Sequence, residues 1–407
     1  MYSKIRRSIL GRREFLKVAG FNAGLAAFFS PSFLRAREIK QNNDYYPACA
    51  PTAPFILPGR LGNPELAFVE DPRLHPAIRD ALMASTGPKP GVFPPFLTMD
   101  SPYDDCVKFV EFMHEIHVDN ELDTSSLQKN NLDILFSTEV IKGQDGNEIT
   151  LFVERPKFFV GQLPCLLHIH GGGMSFSSAK TFETIRWRTE IARKGILVVG
   201  VEFRSEALNS GHHPFPNGLN DCAAAARWVY NNKSNLGVSS MIVSGESGGG
   251  NLAISLGIKA KLEGWVDNID GIYAIAPMTI GIYEDVLPNL SSWRENMGYQ
   301  GTMPIMYAMT KVYDPSSRFK NDPRAWPFCA SESVLRGLPP HIIINYELDL
   351  IRDEGVVLAQ RLQAAGVDAI SRVVNGAHHV PEIAMPDVVP GMTRDLIASI
   401  ASFVKSF

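Results

Sequence analysis

The sequence of 407 residues predicts an α/β protein with a mostly parallel, doubly wound sheet and a helical cap. Three observations support this class. Apolar, β-branched segments alternate with helical segments over most of the chain after residue 130. The alternation breaks between residues 278 and 337, where the chain is rich in aromatic residues, Met and Pro. Glycine clusters follow two predicted strands, at the edge where open α/β sheets place their sites.

The strands and the connections between them predict the order of the sheet. Strands are expected at residues 132–141, 148–154, 163–170, 196–204, 241–246, 269–277, 341–348 and 369–374. The pair Asp145-Gly146 separates the first two and predicts a hairpin. The later strands alternate with helices, including helices from Thr181 and over 216–232. This alternation predicts parallel pairing with right-handed crossovers.

Two regions outside the sheet are predicted to form the cap. Helices at 76–84 and 101–117 precede the sheet, and the insertion 278–337 interrupts it. We therefore expect a linker and N-terminal cap helices over 37–130, and the sheet domain over 131–407 with a closing helix over 387–407. The aromatic residues of the insertion are expected to line a pocket or, alternatively, to pack the cap on the sheet. They are Trp293, Tyr299, Tyr307, Tyr313, Trp326 and Phe328.

The most informative motif is Gly-Glu-Ser-Gly-Gly at residues 245–249, which fits the pattern G-x-S-x-G. An apolar strand precedes it and a helix follows it, so Ser247 lies in a sharp strand-to-helix turn. Gly245 and Gly249 leave room for that turn and for close helix–strand approach. The pattern predicts Ser247 as a catalytic nucleophile. The Glu246 side chain is expected to point away from the chemistry, either as a residue that supports the site from behind or as a polar core residue.

A second motif, His-Gly-Gly-Gly, follows the strand 163–170. Acyl transfer builds negative charge on a carbonyl oxygen, and backbone N–H groups close to that oxygen stabilise it. The predicted donors of this oxyanion hole are the N–H groups of Gly172, Gly173 and Gly248, with His170 and Gly171 in support. A phosphate-binding loop is disfavoured because no Gly-Lys-Ser/Thr follows either glycine cluster.

The acid and the base are expected after the nucleophile, in the order Ser, Asp, His. Asp349 follows the strand 341–348 and is the predicted acid. The loop after the strand 369–374 contains His378 and His379, one of which is expected to be the base. Asp353 and Glu354, near the start of the next helix, are expected to complement its dipole.

Together these motifs resemble the hormone-sensitive-lipase type of α/β-hydrolase, and within it the brefeldin A esterase branch. The matching segments are residues 170–174, 203–204, 211–216, 245–251 and 349–355. The resemblance implies the α/β-hydrolase fold and a triad of Ser247, Asp349 and His379. It favours His379 over His378 because the family's histidine usually follows a glycine by three positions. It also implies a serine carboxylesterase that acts on short- to medium-chain esters or lactones through an acyl-enzyme, without a metal or organic cofactor.

Other functions remain as alternatives. An amidase or peptidase would use the same triad, because both reactions pass through an acyl-enzyme. A non-catalytic ligand receptor on the same fold is disfavoured because serine, acid and histidine are all present. A metal site built from histidines is also disfavoured, since no carboxylate lies at ligand spacing. Its candidate ligands are His168, His170, His212 and His213.

Composition and the N-terminus bound the partners and the location. The formal net charge of −4 suggests no nucleic-acid partner. Five cysteines at irregular spacings predict neither a disulfide framework nor a zinc site. Residues 11–17, Gly-Arg-Arg-Glu-Phe-Leu-Lys, match a twin-arginine export signal. We expect residues 1–36 to be that signal and the protein to be periplasmic or secreted, with membrane contact if the signal stays uncleaved. The small-molecule ester is the expected partner.

Overall fold

The computed structural model describes residues 58–84, 97–118, 131–207, 213–283, 290–299 and 301–407. Three predicted features lie outside these ranges: the signal over 1–36, residues 37–57 of the linker, and His212. Among the described residues, no helix combines the length and the apolar character that crossing a membrane requires.

One eight-stranded sheet forms the centre of the fold, in the order β1-β2-β4-β3-β5-β6-β7-β8. The strands are β1 (Ile134–Lys142), β2 (Glu148–Pro156), β3 (Leu163–Ile169), β4 (Leu197–Glu202), β5 (Val238–Glu246), β6 (Gly271–Ile275), β7 (His341–Tyr346) and β8 (Ala369–Val374). The pairs β1–β2 and β2–β4 are antiparallel, and all other neighbours are parallel. The predicted hairpin and the mostly parallel sheet are therefore confirmed.

Burial explains why the central strands have continuous apolar sequences. Every residue of β6 and β7 is buried, and so is nearly all of β3, β4 and β5. Helices cover both faces of a parallel sheet, so its inner strands need apolar side chains on both sides. The edge strand β1 is mostly exposed.

Eight helices of eight or more residues pack around the sheet or extend from it within the described ranges. They are Pro76–Ala84, Tyr103–Val118, Phe182–Ala192, Asn217–Asn231, Gly248–Leu262, Met303–Tyr313, Arg352–Ala364 and Pro390–Val404. The helix Gly248–Leu262, which we name the elbow helix, is buried on all sides over most of its length. The last helix was predicted over 387–407 but begins at Pro390, a residue suited to the first helical position.

Two helices from distant parts of the sequence pack against each other, and both lie in regions predicted to form the cap. They are Tyr103–Val118, named the N-terminal cap helix, and Met303–Tyr313, named the insertion helix. The segment before them is fastened to the insertion by polar contacts. The Tyr299 hydroxyl donates to the Asp71 carboxylate at 2.6 Å, and Arg73 pairs with the same carboxylate at 2.8 Å.

Candidate active site

Ser247 occupies a strained turn between β5 and the elbow helix. Its backbone angles, φ 55° and ψ −119°, lie in a region that side-chain-bearing residues rarely adopt. Contacts with the segment around β6 hold this turn in place. The Ser247 N–H donates to the Ile275 carbonyl at 2.8 Å, and its own carbonyl accepts from the Met278 N–H at 3.2 Å. The strain is thus balanced by contacts with the neighbouring strand.

The glycines around Ser247 are required by close backbone approach. A Cβ on Gly249 would lie 2.1 Å from the Ile169 carbonyl oxygen, and one on Gly245 would lie 2.6 Å from the same oxygen. A Cβ on Gly248 would lie 2.7 Å from the backbone nitrogen of Gly173. The elbow therefore packs directly against the end of β3 and the glycine loop that follows it.

The glycine loop turns its carbonyls inward and leaves its N–H groups open. Gly172 and Gly173 have φ values of 101° and 57°. The Gly172 carbonyl accepts from the Phe176 N–H at 3.0 Å, and the Gly173 carbonyl accepts from the Ser175 hydroxyl at 2.9 Å. In the described part of the chain, no group accepts a hydrogen bond from the N–H of Gly172, Gly173 or Gly248. The loop and the elbow thus offer unpaired donors to an anion.

Glu246 supports this loop. One carboxylate oxygen accepts from the Gly171 N–H at 2.7 Å, and the other lies 3.1 Å from Nε2 of His168. Burial raises the pKa of Glu246, but His168, the Gly171 N–H and His170 together outweigh burial, so the pKa is lowered. Glu246 is thus a buried polar residue that supports the glycine loop, as expected, although its side chain also borders the cavity described below instead of pointing fully away from it.

His170 is a second support of the same loop. Its Nδ1 donates to the Gly171 carbonyl at 2.8 Å, and its ring stacks on Phe203 with centroids 4.3 Å apart. Burial lowers the pKa of His170 to about 4, so the ring is neutral near pH 7. The structure thus places His170 beside the predicted donors, as a packing and hydrogen-bonding partner of the loop.

Asp349 and His379 form a close pair at the ends of β7 and β8. Nδ1 of His379 lies 2.6 Å from one oxygen of Asp349, and the other oxygen accepts from the Ile351 N–H at 3.2 Å. The Asp349 backbone carbonyl accepts from the Asn296 side chain at 2.8 Å. Burial lowers the pKa of His379, but the charge and hydrogen bond of Asp349, together with the charges of Glu246 and Glu382, outweigh burial, so the pKa is raised above its usual value. Because Nδ1 faces the carboxylate, Nε2 is left as the acceptor nitrogen of the neutral ring.

His378 lies in a different environment. Its side chain is fully buried, its Nδ1 hydrogen-bonds to the His379 carbonyl at 3.1 Å, and its ring meets the edge of Phe68 at 5.9 Å. Burial lowers the pKa of His378 to about 4. His378 is not among the residues that line the cavity. The structure brings Asp349 together with His379 and directs His378 into the core.

The two acids that follow Asp349 do more than complement a helix dipole. Glu354 is fully buried and accepts from the Thr279 N–H at 2.7 Å and from the Tyr283 hydroxyl at 2.6 Å. Burial raises its pKa to about 8. Asp353 accepts from the Ser292 N–H at 2.8 Å. Both acids tie the loop that carries Asp349 to the start of the insertion.

One cavity of about 140 Å³ brings these groups together. Ser247, Asp349, His379 and the glycine loop form part of its wall. Apolar side chains from the N-terminal cap helix, the insertion helix and the segment around the histidine complete it. They include Phe109, Met113, Phe176, Ile305, Met306, Met309, Leu350, Ile351, Val380 and Ile383. In the part of the chain that the structure describes, no group of three His, Cys, Asp or Glu residues is arranged to hold a metal ion.

The aromatic residues of the insertion do not line this cavity. Instead, Tyr313 meets the edge of Trp326 at 5.4 Å, and Trp293 stacks on Tyr283 at 5.1 Å. Trp293, Tyr313 and Trp326 also belong to the buried cluster that contains residues of β5 and the elbow helix. Large aromatic side chains bury much area, so the packing alternative is the correct one. The residues that do line the cavity were not predicted, although the spacing of four in Phe109, Met113 and His117 indicates a common helix face.

Comparisons with known proteins agree with this architecture. A profile for the α/β-hydrolase fold matches residues 166–382. The carboxylesterase NlhH of Mycobacterium tuberculosis is 30% identical over 235 residues, which cover 55% of this chain and 69% of that protein. Neutral cholesterol ester hydrolase 1 of Bos taurus is 25% identical over 286 residues, with 55% of this chain and 69% of that protein covered.

Solved structures extend the similarity over most of the chain. Brefeldin A esterase, described as a bacterial homologue of human hormone-sensitive lipase, is 39% identical with a TM-score of 0.80. The match covers 86% of this chain and 98% of that one. The esterase Est22, solved with p-nitrophenol, is 30% identical with a TM-score of 0.66, and the match covers 84% of this chain and 100% of that one.

Proposed function

Because this chain belongs to the hormone-sensitive-lipase family of α/β-hydrolases and is a carboxylesterase-type serine hydrolase, we propose that it cleaves short- to medium-chain esters or lactones with Ser247, His379 and Asp349. One observation carries the assignment. Asp349 and His379 are paired at 2.6 Å in the wall of the cavity that Ser247 also lines, beside amides that have no acceptor in the described residues.

In the acylation step, the Ser247 hydroxyl oxygen attacks the ester carbonyl carbon while Nε2 of His379 takes its proton. The carbonyl electrons move onto the oxygen, which accepts hydrogen bonds from the N–H groups of Gly172, Gly173 and Gly248. The bond to the alcohol then breaks, and His379 returns the proton to the departing oxygen. Asp349 holds the histidine in the required tautomer and stabilises the imidazolium that forms in between.

Deacylation repeats these roles with water as the nucleophile. His379 takes one proton from water as its oxygen attacks the acyl carbon, and the same amides hold the second oxyanion. The bond to Ser247 breaks, His379 returns the proton to the serine oxygen, and the carboxylic acid leaves. Every proton removed is returned, so the net reaction consumes one water per ester.

The size and lining of the cavity support a small ester as substrate. An apolar protein cavity of about 150 Å³ accommodates a molecule the size of benzene. The cavity here has a volume of about 140 Å³ and its wall is largely apolar. An acyl or alcohol group of a few carbons fits this space, whereas a long chain has to extend towards the opening.

The test is a rate series over p-nitrophenyl esters from acetate to palmitate, with Ser247→Ala, His379→Ala and His378→Ala beside the wild type. We expect kcat/KM to be highest for the shorter chains. Ser247→Ala and His379→Ala should lose about 10³-fold or more of kcat. His378→Ala should keep kcat within about tenfold while its melting temperature falls, because a buried core side chain is truncated.

Two outcomes would contradict the proposal. If the folded His378→Ala protein had no activity and the His379→Ala protein were active, His378 and not His379 would be the base. Faster turnover of p-nitroanilides than of the matched esters would favour the amidase or peptidase alternative. Circular dichroism of each variant separates loss of chemistry from loss of folding.

We also propose export by the twin-arginine route, on the basis of Arg12 and Arg13 in the N-terminal motif. In cells that carry this pathway, the wild-type protein should be found outside the cytoplasm with its N-terminus shortened near residue 36. Replacement of both arginines by lysine should leave the full-length chain inside, while a variant with Lys4 replaced by arginine should be exported normally. Export of the double-lysine variant at wild-type levels would contradict this proposal.

A further inference from the structure

One polar side chain in the cavity wall, His117, has no role in the proposed triad or oxyanion hole. It lies in the last turn of the N-terminal cap helix. Phe109 and Met113 precede it at intervals of four residues, so the three side chains share one face of the helix. All three line the cavity. His117 thus introduces a hydrogen-bonding group into a helix face that is otherwise apolar at this site.

The surroundings of His117 determine which nitrogen carries the proton. Nδ1 lies 2.6 Å from the Met113 carbonyl oxygen, which can only accept a hydrogen bond. Burial lowers the pKa of His117 by more than the Met113 carbonyl and Glu183 raise it, so the ring is neutral near pH 7. A neutral ring that donates through Nδ1 has a lone pair on Nε2. His117 therefore presents a hydrogen-bond acceptor.

That acceptor has no partner within the described ranges. Nε2 of His117 is buried, and no described group donates a hydrogen bond to it. The ring beside it belongs to Phe176, at a centroid distance of 5.3 Å, and offers no donor. Buried polar atoms in native proteins are usually hydrogen-bonded, and an unpaired one destabilises the site that holds it. An unpaired acceptor beside a substrate cavity is explained if the ligand supplies the donor.

We propose that Nε2 of His117 accepts a hydrogen bond from a hydroxyl group of the substrate, so that hydroxylated carboxylic esters or lactones are preferred. The inference rests on the proposed function, because it requires the ester to occupy this cavity. A hydroxyl is a neutral donor, so it can reach Nε2 without bringing a charge into a wall that is largely apolar.

The experiment compares plain and hydroxylated esters of equal length. The acyl arm uses p-nitrophenyl hexanoate and its derivatives with one hydroxyl at each carbon from 3 to 6. The alcohol arm uses hexyl acetate and the monoacetates of hexanediols. In the wild type, at least one hydroxyl position should raise kcat/KM about tenfold over the plain ester, as expected for one satisfied buried hydrogen bond. The arm that contains this substrate identifies the side of the ester that faces His117.

Two variants connect this preference to His117. His117→Leu should remove the preference, so that the ratio of kcat/KM for the hydroxylated ester to kcat/KM for the plain ester falls to about one. His117→Gln, whose side-chain oxygen replaces the acceptor, should restore part of it. A purely structural role would change both substrates equally and leave their ratio unchanged. The inference is overturned if no hydroxyl position exceeds the plain ester by more than about twofold in the wild type, or if His117→Leu keeps the wild-type ratio. Failure of the proposed function would give a different result: the wild type and Ser247→Ala would then hydrolyse the plain ester at the same rate.

Discussion

Replacing Asp349 by asparagine tests the proposed relay without changing the size of the side chain. Asp349 accepts on both oxygens, from Nδ1 of His379 and from the Ile351 N–H. An amide has one oxygen and one NH₂ group, so it satisfies one of these donors and opposes the other. If the oxygen stays with Ile351, the NH₂ group faces the histidine and favours a proton on Nε2. That tautomer has no free nitrogen to take the proton of Ser247.

The expected loss follows from the charge that is removed. Opposite charges about 4 Å apart attract by about 4 kcal/mol at an effective dielectric constant of about 20. The imidazolium formed during the reaction loses this attraction in Asp349→Asn. Each 1.36 kcal/mol of barrier is tenfold in rate, so the charge alone accounts for about 10³-fold. The unfavourable tautomer adds to this effect, and we expect kcat to fall by about 10³- to 10⁴-fold.

The assay is steady-state hydrolysis of p-nitrophenyl butyrate at pH 8, with active-site titration to count folded enzyme. Asp368→Asn is the matched control, because Asp368 is an exposed acid just before β8 and its side chain has no contact with the cavity. Asp368→Asn should retain kcat within about twofold. A folded Asp349→Asn protein with kcat within tenfold of wild type would refute the reasoning.

Three further predictions concern protonation and packing. Burial lowers the pKa of His379, but Asp349 together with the charges of Glu246 and Glu382 raises it above its usual value, so the acidic limb of the kcat/KM profile should have its midpoint above 6.5. A midpoint below 6.5 would contradict the pairing. Gly249→Ala places a Cβ 2.1 Å from the Ile169 carbonyl oxygen, so the free energy of unfolding measured by urea denaturation should fall by about 3 kcal/mol. Gly391→Ala is the control: its Cβ would meet no atom within 4 Å, and the free energy of unfolding should rise by about 0.5 kcal/mol. Burial raises the pKa of Glu354 from 4.5 to about 8, so between these pH values the folded state binds more protons than the unfolded state, and wild-type stability should fall as pH rises. The melting temperature of Glu354→Gln should therefore fall less than that of the wild type from pH 5 to pH 9. An equal fall in both proteins would argue against this role of Glu354.

Much of the fold was predictable because its signals are local. The strand β8 was predicted over 369–374 and occupies Ala369–Val374, since an apolar segment between turn residues suffices to define it. The helix Pro76–Ala84 was likewise predicted with the correct bounds. The last helix was wrong at its start because residues 386–388 form a turn instead. Met385, Val388 and Val389 pack in one cluster with Phe68 and Leu74, which are distant in the sequence.

The candidate site was predictable only in part. Glycine requirements around Ser247 follow from a short motif, because an elbow that packs on β3 excludes any larger residue. The partner of Glu246 could not be predicted, since Gly171 is 75 positions away in the chain. The large aromatics of the insertion were expected in the pocket on composition, but burial drives such side chains into the interface between cap and sheet.

The sequence by itself determined the class of the fold and the chemical types of the groups at the site, because strand periodicity and the two glycine motifs are properties of neighbouring residues. Only the tertiary structure decided which of two adjacent histidines meets Asp349. His378 and His379 have the same chemistry and nearly the same position in the chain, and the loop turns one into the core and the other towards the acid at 2.6 Å. The same holds for the cavity wall, where side chains from residues 109 and 309 meet because two helices pack together, a contact that no local pattern encodes.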